Sequence, residues 1–330
     1  MNQTQTPSRK AEGCTWGVEI ECLLPDDQIR GLPIRIGDYH QGHPLPAPFP
    51  QVAKPEGPPW RSPSDLASWT AERDGSLGTR RAGYTPVEIV SPILQGRAGI
   101  EQVKQVAQTL KDIGAAVNAT CGFHCHIGAE RVAGPRPGEV AEWVAKLLYQ
   151  TAMHETALYA STGTHRRENG HFSRSVKDQK ADADRIRKAS TPHRKREELS
   201  WAANRGRYHT LNLTNLFTPK ATVEFRWGAG TVEWQKMVGH ICTCLALAER
   251  ATETTRMDWE GLASERTYHV NGKGLRELNR LFYLTGWTMG RRDVGKPEVE
   301  MAGWIADTAD LAPVKRELRR LARKYDRAAM

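Results

Sequence analysis

The chain has 330 residues, with 39% hydrophobic and 26% charged residues and a formal net charge of +9. That is enough apolar material for one large core or two smaller ones, and no apolar run reaches the ~18 residues that a membrane span requires. The surplus of base favours an acidic partner, whether nucleotide, nucleic acid or a carboxylate substrate, although a generally basic surface would look the same.

In chain order, residues 1–13 read as a disordered polar lead without the apolar stretch of a signal peptide, and the protein is expected to be cytoplasmic. Residues 14–24 form a first acidic strand. Residues 25–63 carry ten of the nineteen prolines, which break helix and sheet alike. This is a long insertion, either a lid facing a ligand or a plain surface loop. A strand over 66–74 ends at Arg73-Asp74-Gly75, a turn signal. Another over 83–91 centres on Glu88 and stops at Ser91-Pro92. Ile100, Val103, Val106, Ala107, Leu110 and Ile113 recur at helical spacing over 99–114, and Gly114 caps that helix. A short strand, Gly122 to Gly128, follows, and then a helix over 139–160. Residues 161–207 are polar and basic. They read as a mobile loop over a phosphate ligand, as a partly helical basic arm, or as a solvated charge run. Strands over 208–216 and 221–227 precede a helix over 232–250. The remainder is helical in pattern, over 273–284, 297–308 and 313–326, and the last of these is strongly basic.

Short spacings between neighbouring strands favour antiparallel pairing, hence an α+β fold with one large sheet. The six cysteines form no CxxC pair, which argues against a zinc knuckle. Cys14 and Cys22 could meet a partner across strands, but a disulfide is the minor reading in an intracellular chain.

The chemistry lies in the alternation along the strands. Successive side chains of a strand point to opposite faces. His124 and His126 therefore share one face, roughly 7 Å apart along the chain, while Phe123, Cys125 and Ile127 take the other. Glu19 and Glu21 stand likewise against Trp16, Val18, Ile20 and Cys22. Glu224 and Arg226 oppose Val223, Phe225 and Trp227. Asn212 sits between Leu211 and Leu213, and Glu88 between Val87 and Ile89. Each pair taken alone has a plain structural reading: a solvated strand face, hydrogen-bonded histidines, a cross-strand ion pair. Gathered in one sheet, they give an apolar back packed on helices and a polar front. Carboxylate oxygens on that front suit hard divalent cations, and the arginine suits phosphate oxygens.

In this order, Gly17-Val18-Glu19-Ile20-Glu21, Asp74-Gly75-Ser76-Leu77, the run from Val87 to Leu94, Cys121-Gly122-Phe123-His124-Cys125-His126, Leu211-Asn212-Leu213 and Thr222-Val223-Glu224-Phe225-Arg226 resemble the amidoligases. These are a branch of the carboxylate–amine ligase superfamily that includes glutamine synthetase and glutamate–cysteine ligase. The resemblance covers residues 14–250. It implies a glutamine-synthetase-like catalytic fold over 14–255, a curved antiparallel sheet with helices on its outer face, followed by a helical extension over 256–330 packed on it. It also implies ATP with Mg²⁺ or Mn²⁺ on the concave side. Glu19, Glu21, Glu88, His126 and Glu224 would hold metal, and His124, Asn212, Arg207 and Arg226 would bind the nucleotide. Asp74, Glu88 and Arg226 would serve the reaction, Arg226 as phosphate clamp and Asp74 or Glu88 as the base that takes the ammonium proton.

A carboxylate and an amine do not condense at neutral pH because the leaving group is poor. Phosphoryl transfer to the carboxylate makes an acyl phosphate that an amine can attack, and metals and arginine would stabilise the charge that moves. The expected partners are therefore a carboxylate donor and an amine acceptor, each a small molecule or a peptide. A kinase of the same superfamily, phosphorylating a guanidino or amine nitrogen, would use the same front. A protein that binds nucleic acid through its basic surface, or a ligase acting on a nucleic-acid-linked acceptor, is the rival of a different class.

Overall fold

The computed structural model describes residues 14–51, 68–78, 81–134, 136–168, 170–259, 273–284 and 312–328. The lead over 1–13, part of the proline-rich insertion, the start of the strand expected from residue 66 and the helix expected over 297–308 lie outside the described residues.

Strand β1 (Thr15–Pro25) is the axis of the fold. Its alternation places Trp16, Val18, Ile20, Cys22 and Leu24 in the core. The described residues build eight strands into one sheet. They are β1, β2 (His43–Pro44), β3 (Thr70–Glu72), β4 (Tyr84–Val90), β5 (Leu94–Gln95), β6 (Gly122–Gly128), β7 (Leu211–Asn212) and β8 (Thr222–Ala229). The order is β2-β3-β4-β1-β6-β8-β7, with β5 pairing the start of β1. Every pairing is antiparallel, as the short connections predict.

Helices α1 (Asp26–Gly31), α2 (Gly96–Asp112), α3 (Ala129–Ala133), α4 (Pro137–Ala160), α5 (Lys180–Lys188), α6 (Pro192–Ala203), α7 (Trp234–Glu253), α8 (Gly274–Leu284) and α9 (Ala312–Ala328) complete the chain. Helix α7 packs on β6 and α4 on β8, so the apolar back of the sheet is roofed by helices. Val223, Phe225 and Trp227 from β8 meet Met237, Val238, Ile241 and Leu245 from α7 in this core. Each such side chain stabilises the fold by about 1.5–3 kcal/mol on burial. Trp143 Nε1 donates to the carbonyl of Ala248 at 2.9 Å and ties α4 to α7. None of these helices is long and apolar enough to cross a membrane.

The basic segment over 161–207 is not a mobile loop. It forms a 3-10 turn (Val176–Gln179) and the helices α5 and α6, which pack on α4. Thr191 caps α6, accepting from Arg194 N at 3.2 Å. Ala183, Ile186, Leu199 and Ala202 form a thin buried stripe, which lysines and arginines on both sides conceal in the sequence. The proline-rich insertion is also folded as far as it is described. Ile34, Leu45 and Phe49 enter the core, and Leu45 N donates to Trp69 O at 2.8 Å. The strand expected over 208–216 shortens to β7, because Thr214 N donates to Asn212 Oδ1 at 3.0 Å as the chain turns into a 3-10 helix (Thr214–Phe217). All six cysteines are free and buried.

Two core histidines contribute acid sensitivity to this packing. Burial, reinforced by Arg280 and Arg250 near His154 and by Lys236 and Arg167 near His240, lowers both from 6.5 to about 3. Between those values the unfolded chain binds protons that the folded chain refuses, so stability falls as pH drops from 6.5 toward 3. The slope is about 1.4 kcal/mol per pH unit for each histidine. Urea unfolding between pH 6 and pH 4 is expected to show His154→Gln and His240→Gln each flattening the pH dependence by about that slope. An unchanged slope in both variants would overturn the assignment.

Candidate active site

The polar face of the sheet forms a row of staggered cross-strand pairs, and register builds it. Glu72 pairs with Glu88, and Glu88 with Glu21. Glu19 pairs with His124, His126 with Glu224, and Glu224 with Asn212. Each partner lies about 5 Å from the next across the strands. Glu21, Glu88 and Glu224 are 3–5% exposed, so these carboxylates are withdrawn from water in a group. Like charges directly opposite are destabilising, and the row therefore calls for cations.

Imidazoles, a guanidinium and an ammonium of the chain face these carboxylates. His124 Nδ1 lies 3.2 Å from Glu19 Oε2 and 3.5 Å from Glu224 Oε1, and its Nε2 lies 3.7 Å from Glu21 Oε1. His126 Nε2 is 3.0 Å from Glu19 Oε1. Arg226 Nη1 contacts Glu224 Oε1, and Asn212 Nδ2 donates to Glu224 Oε2 at 2.6 Å. Lys220 Nζ reaches within 3.9 Å of Glu19 from the rim.

The protonation equilibria follow from this packing. Burial pushes the Glu19 carboxyl up, but His126 and His124 outweigh it and hold the group well below the usual range. Glu224 is likewise held low, burial being overcome by Arg226 and His126. Burial opposes the charge on His126, yet Glu19 and Glu224 hold its pKa above 6.5. Among the described residues no cation forms an ion pair with Glu88. Burial first, then Glu19, Glu21, Glu72 and Asp74, push it well above the ordinary carboxylate range.

Two sets of ligand atoms converge: Glu19, His124 and Glu224, and Glu21, Glu88 and His124. Each offers two carboxylate oxygens and one imidazole nitrogen, a donor set that fits Mn²⁺ or Mg²⁺ with positions left for water or phosphate oxygens. The repulsion around Glu88 is the kind that a dication relieves.

Of the residues expected from sequence, Glu19, Glu21, Glu88, His124, His126, Asn212, Glu224 and Arg226 stand together in this row. Asp74 does not join it. It occupies the turn after β3, where its Oδ1 accepts from Ser76 N at 2.7 Å, within electrostatic reach of Glu88. Arg207 is at the exposed rim, where its Nη1 donates to Tyr39 Oη at 2.7 Å. The neighbouring His40, in the left-handed conformation at φ 60, donates its backbone N–H to Glu72 Oε1 at 3.2 Å. The proline-rich segment and the stretch before β7 therefore meet above the acidic row.

Sequence reasoning missed Glu72, Lys220 and Arg167. Glu72 was within reach of the alternation argument, since Trp69 and Ala71 are buried beside it. Arg167 lies in a loop and carries no periodic signal. It is buried, and its Nη2 donates to the carbonyl of Arg226 at 3.0 Å.

Gly122 makes room for this convergence. A methyl group there would lie 2.7 Å from Arg167 Nη2, 2.8 Å from His124 Nε2 and 3.1 Å from Glu21 Oε2. The Gly122 amide N–H also donates to Glu21 Oε2. Gly122→Ala is expected to cost about 1–3 kcal/mol in denaturant unfolding through overpacking. It should also weaken Mn²⁺ binding by about tenfold or more, because ligand orientation is disturbed. Wild-type Mn²⁺ affinity, measured by calorimetry on the folded variant, would overturn this account of Gly122.

A family model described as "Putative amidoligase enzyme" matches residues 50–248, more than half of the chain. No curated protein matches. The matched range begins after β1, so Glu19 and Glu21 join the polar residues of the matched strands through sheet pairing alone.

Proposed function

The chain belongs to the amidoligase family, a family of ligase-type enzymes, and on that premise we propose that it is an ATP-dependent carboxylate–amine ligase working through an acyl phosphate. The observation that carries this reading is the convergence of two carboxylate–imidazole sets on His124, beside the Glu224–Arg226 pair. Carboxylates and imidazoles without arginine would suit a hydrolytic metal centre equally well. Arginine against a metal-type carboxylate suits transfer of a phosphoryl group, whose charge is spread over several oxygens.

In the proposed reaction a carboxylate oxygen of the donor attacks the γ-phosphorus of ATP and the bond to the β-phosphate oxygen breaks, leaving ADP. The amine then attacks the carbonyl carbon of the acyl phosphate. The C–O bond breaks, inorganic phosphate leaves with the electron pair, and the nitrogen gives up a proton as the amide forms. Glu19, Glu21, Glu88, His124 and Glu224 would hold divalent metal ions, which neutralise phosphate charge when bound. His126 orients Glu19, and Asn212 orients Glu224. Arg226, buried and also within 3.4 Å of the Phe172 carbonyl, is held rigidly enough to act as a phosphate fork. Asp74 and Glu88 are the candidates for the base that takes the amine proton. Burial and its acidic neighbours push Glu88 well above the ordinary carboxylate range, and cations bound beside it would bring it down again. The rim residues Tyr39, His40, Arg207 and Lys220 are placed to select the substrates.

The experiment uses ATP, Mg²⁺, hydroxylamine and pools of carboxylic acids, because hydroxylamine traps an acyl phosphate whatever the natural amine is. Hydroxamate with ADP from one pool is expected, falling by about 100-fold or more in Glu21→Gln and Arg226→Ala. ADP without hydroxamate would transfer the reading to the nitrogen-phosphorylating relative. Neither product from any pool, together with no Mg²⁺-dependent ATP binding, would overturn it.

A further inference from the structure

Arg167 is a buried cation of the site that the proposed chemistry has not used. Among the described residues no carboxylate lies within ion-pair distance of it. Among those residues the one hydrogen bond its side chain makes is to the Arg226 carbonyl, and its Nε is buried without a partner. A guanidinium taken out of water carries a large desolvation cost unless an anion compensates it. Its Nη2, Glu21 Oε2 and His124 Nε2 all lie within 3.1 Å of one point above Gly122. Glu21 and His124 belong to one of the two candidate metal sets. Glu21 offsets part of the charge on Arg167, and anionic oxygens lying between this buried cation and a bound dication would relieve the repulsion between the two.

The loop that carries Arg167 is clasped from outside the site. Helix α9 presents Tyr325, whose ring stacks on His165 at 3.8 Å between centroids. Tyr325 Oη donates to Glu168 Oε2 at 2.8 Å. His165 lies 2.9 Å from Glu168 Oε2 through Nδ1 and 3.0 Å from the Tyr325 carbonyl through Nε2. Gly163, at φ +70, lets Leu321 approach so closely that a methyl group at position 163 would be 2.8 Å from it. Residues on both sides of Arg167 are therefore fixed to α9. Helix α9 lies beyond the matched range, which ends at residue 248.

We propose that Arg167 is a second phosphate-binding arginine of the centre, and that the C-terminal helix is its positioning element, acting through Tyr325 and Glu168. The inference rests on the ATP-dependent reading above. Arg226 and Arg167 approach the row from β8 and from the α4-to-α5 connection, a pair of forks for the oxygens of a polyphosphate. The helical extension, which has no place in the chemistry, becomes the part that sets the second fork.

The test is calorimetric titration of the full chain with Mg²⁺·ATP and, separately, with inorganic tripolyphosphate and Mg²⁺. Arg167→Gln is expected to weaken both by about 10- to 100-fold, the loss of charge-assisted hydrogen bonds. Its melting temperature without ligand should equal or exceed that of the wild type, because a buried unpaired charge has gone. A structural arginine would instead lower it. Tyr325→Phe keeps the ring stack and loses one hydrogen bond, and should weaken binding by about three- to tenfold. The double variant should bind no more weakly than Arg167→Gln alone, since Tyr325 acts only through Arg167. Arg323→Ala, exposed on the same helix, should bind as wild type does. Undiminished binding by Arg167→Gln, or losses that add in the double variant, would overturn the proposal while leaving the ligase reading intact. A wild-type protein that binds neither probe would overturn both.

Discussion

Buried carboxylate repulsion is the constraint on which the rest of this structure depends. Glu19, Glu21, Glu72, Glu88 and Glu224 project from four strands of the sheet onto one face, and four of the five are at most 5% exposed. A cluster of this kind folds only if its charge is answered. The chain answers part of it with His126 and Arg226 and with the contacts of His124, while burial and its acidic neighbours push the Glu88 carboxyl well above the ordinary carboxylate range. The remainder is the affinity of the site for added cations. Stability given up on this face is available for binding, and the helical back of the sheet provides the stability that allows it.

The two faces are therefore coupled through single strands. In β6 the residues that alternate with the histidines are Phe123, Cys125 and Ile127, all buried. Phe123 stacks on His240 of α7, which also meets Trp227 of β8 edge-on. Any shift of α7 along the sheet would move His124, His126 and Arg226 together. Preorganisation of this kind, with ligand side chains on strands whose other face is packed, is what holds charged groups in place against their own repulsion. Two peripheral segments complete the site in a different way. The proline-rich segment brings Tyr39 and His40 over Glu72 and Arg207. The C-terminal helix reaches the loop of Arg167 from the opposite side.

Much of this was legible in the sequence. The period-two alternation located Glu19, Glu21, Glu88, His124, His126, Glu224 and Arg226, because a half-buried strand must sort its side chains by face. Helical spacing located α2, α4, α7, α8 and α9 to within a few residues of their ends. Where the pattern was misleading, a physical reason is visible. The stretch before Leu211 is irregular because its backbone bonds go to Arg174, with Thr210 N donating to Arg174 O at 2.8 Å. Helices α5 and α6 were hidden because their buried stripe is narrow and their surface is almost entirely charged. Asp182 shows the same effect, since it is fully buried between Arg185 and Arg205 and would be read from sequence as a surface residue.

What the sequence determined by itself is the chemistry of each strand face, since alternation is local and needs no partner. What only the tertiary structure decided is which faces are neighbours. The register of β1 against β4 sets Glu21 opposite Glu88, and its register against β6 sets Glu19 opposite His124. A slip of one residue would turn either pair to opposite sides of the sheet. Arg167 belongs wholly to the second category. It has no periodicity, no motif and no neighbour in sequence that marks it. It enters the site because Tyr325, more than 150 residues further along the chain, holds its loop in place.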